Sequence, residues 1–138
     1  MADVSITVAE LLKGTTAMTK QGTAGATVVQ GEWVYIDTAN SNVLKLSQAD
    51  GTALEATTAG MALNAALTGQ PCLYAYKGLV TVGATAAQTE GLIMHLSATA
   101  GAMNVDAVAS SSYVTTLGVI NGSDQIDIDI DVSGQQVP

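Results

Sequence analysis

Phenylalanine and arginine are absent from this 138-residue chain, cysteine, tryptophan and histidine occur once each, and proline occurs twice. One cysteine excludes an internal disulfide and any Cys-x-x-Cys metal or redox motif. Cys72 lies in the apolar stretch PCLYAY, where a buried thiol acts as a small hydrophobe. Without arginine, the cations are Lys13, Lys20, Lys45 and Lys77, set against twelve carboxylates for a net charge of −8. Nucleic-acid binding draws most of its affinity from Lys and Arg neutralising phosphates, so no nucleic-acid partner is expected. Anionic membrane surfaces are disfavoured for the same reason. No apolar run approaches the ~20 residues of a membrane-spanning helix. The opening MADVSITVAELLKG has no basic segment ahead of its apolar residues, unlike a secretion signal.

What fills the chain instead is small. Twenty-two Ala, 17 Thr and 14 Gly account for much of it, with 14 Val, 12 Leu and 7 Ile for a core. At 48% apolar and 12% charged, the composition is that of a folded protein, and the length suits one domain. Helical signals are confined to two short pieces, one near the N-terminus and one over residues 47–56. Thr7 and Glu10 form a capping box, Ile6 and Leu11 a hydrophobic staple, and Gly14 a C-cap, which predicts a short helix over residues 8–13. Val4, Ile6 and Val8 also alternate as a strand would. Residues 1–25 read as an N-terminal arm, and 26–138 as a single β domain.

Period-two segments recur through that domain. Residues 32–37 and 43–47 flank an Asn-containing loop, and residues 60–64 form a short strand. Residues 71–76 and 79–82 are separated by a turn at Lys77-Gly78. Residues 92–96 precede a loop turning at Gly101, and residues 113–120 and 125–132 meet at Asn121-Gly122, a strong hairpin signal. Residues 47–56 read as a loop with one helical turn. About eight short strands with frequent turns predict an all-β fold, a compact sandwich, barrel or open tulip-like module.

Chemistry-bearing residues are sparse. His95 is the lone imidazole, in the strand-like LIMHLS, and a pairing with Cys72 has little specificity. No GxSxG, P-loop, HExxH or GxGxxG motif is present, so no enzymatic activity and no cofactor are expected. Asp127, Asp129 and Asp131 share one face of a strand. Residues i and i+2 lie about 6.5–7 Å apart, too far for one strand to supply three direct ligands to a calcium ion. The row reads as a solvated, strand-repelling edge, with a calcium site shared with another loop or subunit as the alternative. Trp33 and Tyr35 alternate with Val34 and Ile36, and Tyr74 and Tyr76 alternate with Leu73 and Ala75. Either the rings face outward, as at an oligomer interface, or they fill the core. Both arrangements fit the alternation.

The run GEWVYID (31–37), then AGMALNAALTGQ (59–70), then KGLVTVG (77–83) resembles the small capsid decoration (cement) proteins of tailed bacteriophages. The segments 90–101 and Leu117-Gly118-Val119 add to the similarity, which extends from about Gly25 to Val132 and is carried by the order of short motifs. The resemblance implies a β-rich module made in the bacterial host cytoplasm that trimerises on the outer surface of the head. There it would bridge neighbouring major capsid protein subunits and stabilise the mature shell. On that reading Trp33, Tyr35, Tyr74 and Tyr76 are candidate trimer or capsid contacts. Val4, Ile6, Val8, Leu11 and Leu12 are candidates for a capsid-binding arm. The rival reading is a tail or fibre β-module that binds a host glycan through Trp33, Tyr35 and Asp37.

Overall fold

The computed structural model describes residues 12–13, 16–82, 90–105, 108–122 and 124–138. Among them the protein is all-β, with no helix. Ten strands follow in chain order: β1 (Leu12–Lys13), β2 (Met18–Thr23), β3 (Trp33–Asp37), β4 (Val43–Leu46), β5 (Thr58–Ala62), β6 (Pro71–Thr81), β7 (Ile93–Leu96), β8 (Met103–Asn104), β9 (Tyr113–Asn121) and β10 (Gln125–Gln136). They form one sheet in the order β4-β3-β5-β6-β10-β9-β7-β8, with β1 and β2 also pairing with β6. Every named pair is antiparallel.

Three expectations are corrected here. Leu12 and Lys13 are extended and pair with Thr81 and Val80, so the expected helix over 8–13 does not include them; the rest of that segment lies outside the described residues. Residues 18–23 pair along β6 from Lys77 to Pro71, which places them in the domain rather than in an arm ending at residue 25. Lys77-Gly78 is not a turn. The strand runs through both residues, with Lys77 opposite Asp129 and Gly78 opposite Ile128. Gly78 has φ +98°, and a Cβ there would sit 2.3 Å from the carbonyl oxygen of Thr16. Glycine thus marks where a continuous strand bends beneath a crossing backbone, a different use of the same conformational freedom. Asn121 and Gln125 are opposed, leaving a three-residue loop in which Gly122 takes φ +71°.

β6 organises the sheet. Lys77 is opposed to Met18 on β2 and to Asp129 on β10, and Ala75 to Thr19 on β2 and Met61 on β5. β5 and β10 therefore share one edge of β6, and β10 must leave it after Asp129 to make room for β5. The sheet β2-β6-β5-β3-β4 curls into a half-barrel, whose outer strands meet at a parallel bridge between Ala24 and Leu44.

This curl makes two cores from one sheet. The half-barrel encloses Ala24, Val28, Val34, Leu44, Ala62, Ala66, Cys72 and Tyr74. The larger core includes Trp33, Met61, Ala75 and Val80 together with Met94, Leu96, Leu117, Ile120, Ile126 and Ile128. The loop from Ser47 to Thr57 closes over this second core with Ala49 and Ala56. It is fastened by hydrogen bonds that Ser47 Oγ donates to the Glu55 carbonyl and Thr115 Oγ1 to the Ala56 carbonyl. Its helical turn is present as a hydrogen bond from Ala56 N to the Thr52 carbonyl.

Candidate interaction surface

The rings do not face outward. Trp33 is 0% exposed, Tyr35 7% and Tyr74 5%; only Tyr76 keeps a half-buried position, with the Lys20 ammonium 4.8 Å from its ring centroid. The expected aromatic interface is corrected for the three buried rings, which are unavailable to a partner in this fold. The cause is the double core. Trp33 points into the larger core and Val34 into the half-barrel, so alternation along β3 separates two interiors rather than inside from outside. The exposed ring-and-carboxylate groove of the glycan reading is likewise missing at Trp33, Tyr35 and Asp37. Asp37 instead accepts hydrogen bonds from Asn40 Nδ2 and Ala39 N and lies 2.9 Å from Lys45 Nζ. The Asn40 and Lys45 contacts hold its carboxyl below the usual range. Burial first, then the Asp37 and Glu55 charges, pushes the Tyr35 phenol up.

Cys72 and His95 are not brought together. Cys72 is inside the half-barrel and its thiol is pushed up by burial, whereas His95 is on β7, separated from β6 by β10 and β9. Among the described residues no three His, Cys, Asp or Glu side chains converge on a metal-sized site.

The Asp127, Asp129 and Asp131 side chains are exposed as the alternation required, but they do not line a sheet edge over their first two positions. β10 is there held between β6 and β9, with Asp127 opposite both Leu79 and Val119 and Asp129 opposite Lys77. The row is part of an open face. On that face, direct register places Leu79, Asp127, Val119 and Ile93 side by side across four strands. Ile93 is 49% and Val119 38% exposed, and Leu79 is half-buried. The neighbouring row on the opposite face, Val80, Ile126 and Ile120, is fully covered by the larger core.

Sequence reasoning missed this apolar patch for a definable reason. In LIMHLS the core residues Met94 and Leu96 are as apolar as the exposed Leu92 and Ile93, so alternation of polarity gives no sign of which side faces water. Of the arm residues, Leu12 is in β1, and Val4, Ile6, Val8 and Leu11 lie outside the described residues. The chain matches no family model, and no curated protein matches it.

Proposed function

We propose that this chain is a bacteriophage head decoration (cement) protein, which binds the outer surface of the capsid as a trimer and stabilises the mature shell by bridging neighbouring major capsid protein subunits. The order of short motifs between Gly25 and Val132 motivates the reading. The observation that carries it is the pair of adjacent exposed aliphatic side chains Ile93 and Val119, in one row with Asp127 and the half-buried Leu79 on an open sheet face. Adjacent apolar side chains left in water on such a face favour contact with another protein.

The row acts as the shell contact rather than the contact among copies. Asp127 lies within it, between Leu79 and Val119, and Asp129 and Asp131 are exposed further along the same strand, so stacking this face on its own copies would bring like charges together. Completing the burial of each half-exposed aliphatic side chain contributes about 1 kcal/mol, so one copy holds weakly. Three copies joined in a trimer engage together and gain avidity by effective concentration. Preferential binding to the expanded lattice then stabilises that lattice by mass action. The mechanism is mechanical, and it uses neither Cys72 nor His95.

The test is the double variant Ile93→Asp, Val119→Asp. It is expected to sediment as the wild-type trimer and to load poorly onto expanded heads stripped of this protein. Wild-type loading would remove the row from the mechanism. A wild-type protein that sediments as a monomer and leaves stripped heads bare would end the decoration reading.

A further inference from the structure

Asn121, at the turn of the β9–β10 hairpin, is the one asparagine of this chain that is followed by glycine. The other four, Asn40, Asn42, Asn64 and Asn104, precede Ser41, Val43, Ala65 and Val105. The distinction is chemical. A main-chain nitrogen one residue after an asparagine can attack the side-chain Cγ and close a five-membered ring. A Cβ on the attacking residue obstructs that approach, and a β-branched side chain obstructs it most.

The structure separates the five sites further. Asn40 Nδ2 donates to Asp37 Oδ2 at 2.8 Å. Val43 N, the nitrogen that follows Asn42, donates to the Asn40 carbonyl. Asn64 is held at both ends of its carboxamide. Its Oδ1 accepts from Leu73 N at 2.7 Å, and its Nδ2 donates to the Ala65 and Pro71 carbonyls. Asn104 is buried. At the hairpin the restraints are least. Asn121 Nδ2 makes one long bond, 3.3 Å to Gln125 Oε1. Gly122 is exposed with φ +71°, and nothing lies within 4 Å of the place a Cβ would take. Its N–H donates to no described residue. Asn121 ends β9 and belongs to neither core, so leaving strand geometry to bring Cγ over Gly122 N is a local opening.

We infer that Asn121 is a self-modification site, whose side chain cyclises onto Gly122 N and then hydrolyses to a carboxylate. Gly122 N loses its proton to water or hydroxide and bonds to Asn121 Cγ. The Cγ–Nδ2 bond breaks, and Nδ2 leaves as ammonia. Water then adds to one of the two carbonyls of the cyclic imide, and the ring C–N bond on that side breaks. Opening at one carbonyl gives aspartate; opening at the other gives isoaspartate, with the main chain rerouted through Cγ. The chain itself joins nucleophile and electrophile, so water is the only co-reactant. The position gives the change a consequence. Asn121 is two residues from Val119 on the same strand face, so the product adds a carboxylate to the open face. It also removes the donor that serves Gln125 Oε1, and isoaspartate lengthens the main chain by one carbon at the end of the β9–β10 register.

The experiment incubates the full-length protein in mildly alkaline heavy-oxygen water, followed by peptide mass spectrometry and labelling with an isoaspartyl methyltransferase. The peptide spanning Asn121 is expected to exchange its amide for a carboxyl carrying heavy oxygen, ahead of the peptides holding the other four asparagines. Both aspartate and isoaspartate should appear there. Gly122→Ala, which the open space at that position admits, should slow the conversion at least several-fold with an unchanged far-ultraviolet circular dichroism spectrum. No conversion at Asn121 overturns the proposal, and so does faster conversion at any other asparagine. Aspartate without isoaspartate would mean direct hydrolysis of the side chain and overturns it too, as does an unchanged rate in Gly122→Ala. Head loading is measured on freshly purified protein, so failure here leaves the decoration reading intact.

Discussion

Trp33→Ala is the perturbation whose outcome follows most directly from the packing. Trp33 is fully buried in the larger core, opposite Met61 on β5, which in turn is opposite Ala75 on β6. Truncating a buried Trp to Ala costs about 3–5 kcal/mol, transfer and cavity terms together. Against a total stability of about 5–15 kcal/mol for a domain, that is a third or more of what holds the chain folded. At roughly 3–4 °C per kcal/mol for a domain of this size, the melting temperature falls by about 10–20 °C. Trp33→Phe separates the ring's volume from its polar atom. The indole Nε1 is buried without an acceptor, and an unsatisfied donor carries a penalty of about 1–3 kcal/mol that phenylalanine removes. The loss for Trp33→Phe is therefore expected to be less than half that for Trp33→Ala. Urea unfolding followed by far-ultraviolet circular dichroism measures both, and wild-type Trp emission should be blue-shifted and resistant to iodide. A Trp33→Ala loss below about 1 kcal/mol, in the range of surface substitutions, would refute the placement of this ring. So would native-state emission that iodide quenches freely.

Other outcomes follow from single features. Gly78→Ala must adopt φ +98° and push its Cβ into the Thr16 carbonyl, so it should destabilise by more than the roughly 1–2 kcal/mol that left-handed backbone alone costs. Gly122→Ala, with φ +71° and nothing within 4 Å, should show only the backbone cost in the same urea experiment. Asp37 has its pKa lowered by Asn40 and Lys45, so its contribution is present above the ordinary carboxylate pKa of about 4 and is lost as pH falls through the lower folded value. Asp37→Asn should therefore flatten the acid side of a stability–pH profile; an unchanged slope would remove the ion pair from that role. The Cys72 thiol is buried and pushed up, so modification by a disulfide reagent should track unfolding. Labelling at the rate of a free thiol in the native protein would contradict its position. Deleting residues 2–11 should leave a folded protein with reduced head loading, and unchanged loading would exclude Val4, Ile6, Val8 and Leu11 from shell binding.

Local chemistry carried much of the fold into the sequence. Alternation located the strands β3, β4, β7, β9 and β10 to within a few residues, because each alternates over enough positions to be read without its neighbours. Composition excluded an internal disulfide and a Cys-x-x-Cys site outright, and the spacing of Asp127, Asp129 and Asp131 placed them on one exposed face. These are properties of a residue and its near neighbours along the chain.

Tertiary structure decided which side of each strand counts as inside. The curl of β2-β6-β5-β3-β4 gives β3 two interiors, so Trp33 and Tyr74 fill cores where the period-two pattern equally allowed them to face water. Gly78 reads locally as a turn and is a bend, because the crossing backbone at Thr16 and the pairing of Lys77 with Asp129 come from far along the chain. The row of Leu79, Asp127, Val119 and Ile93 exists only once four strands lie in register. Burial is a relation among distant segments, and alternation along one strand cannot encode which segments those will be.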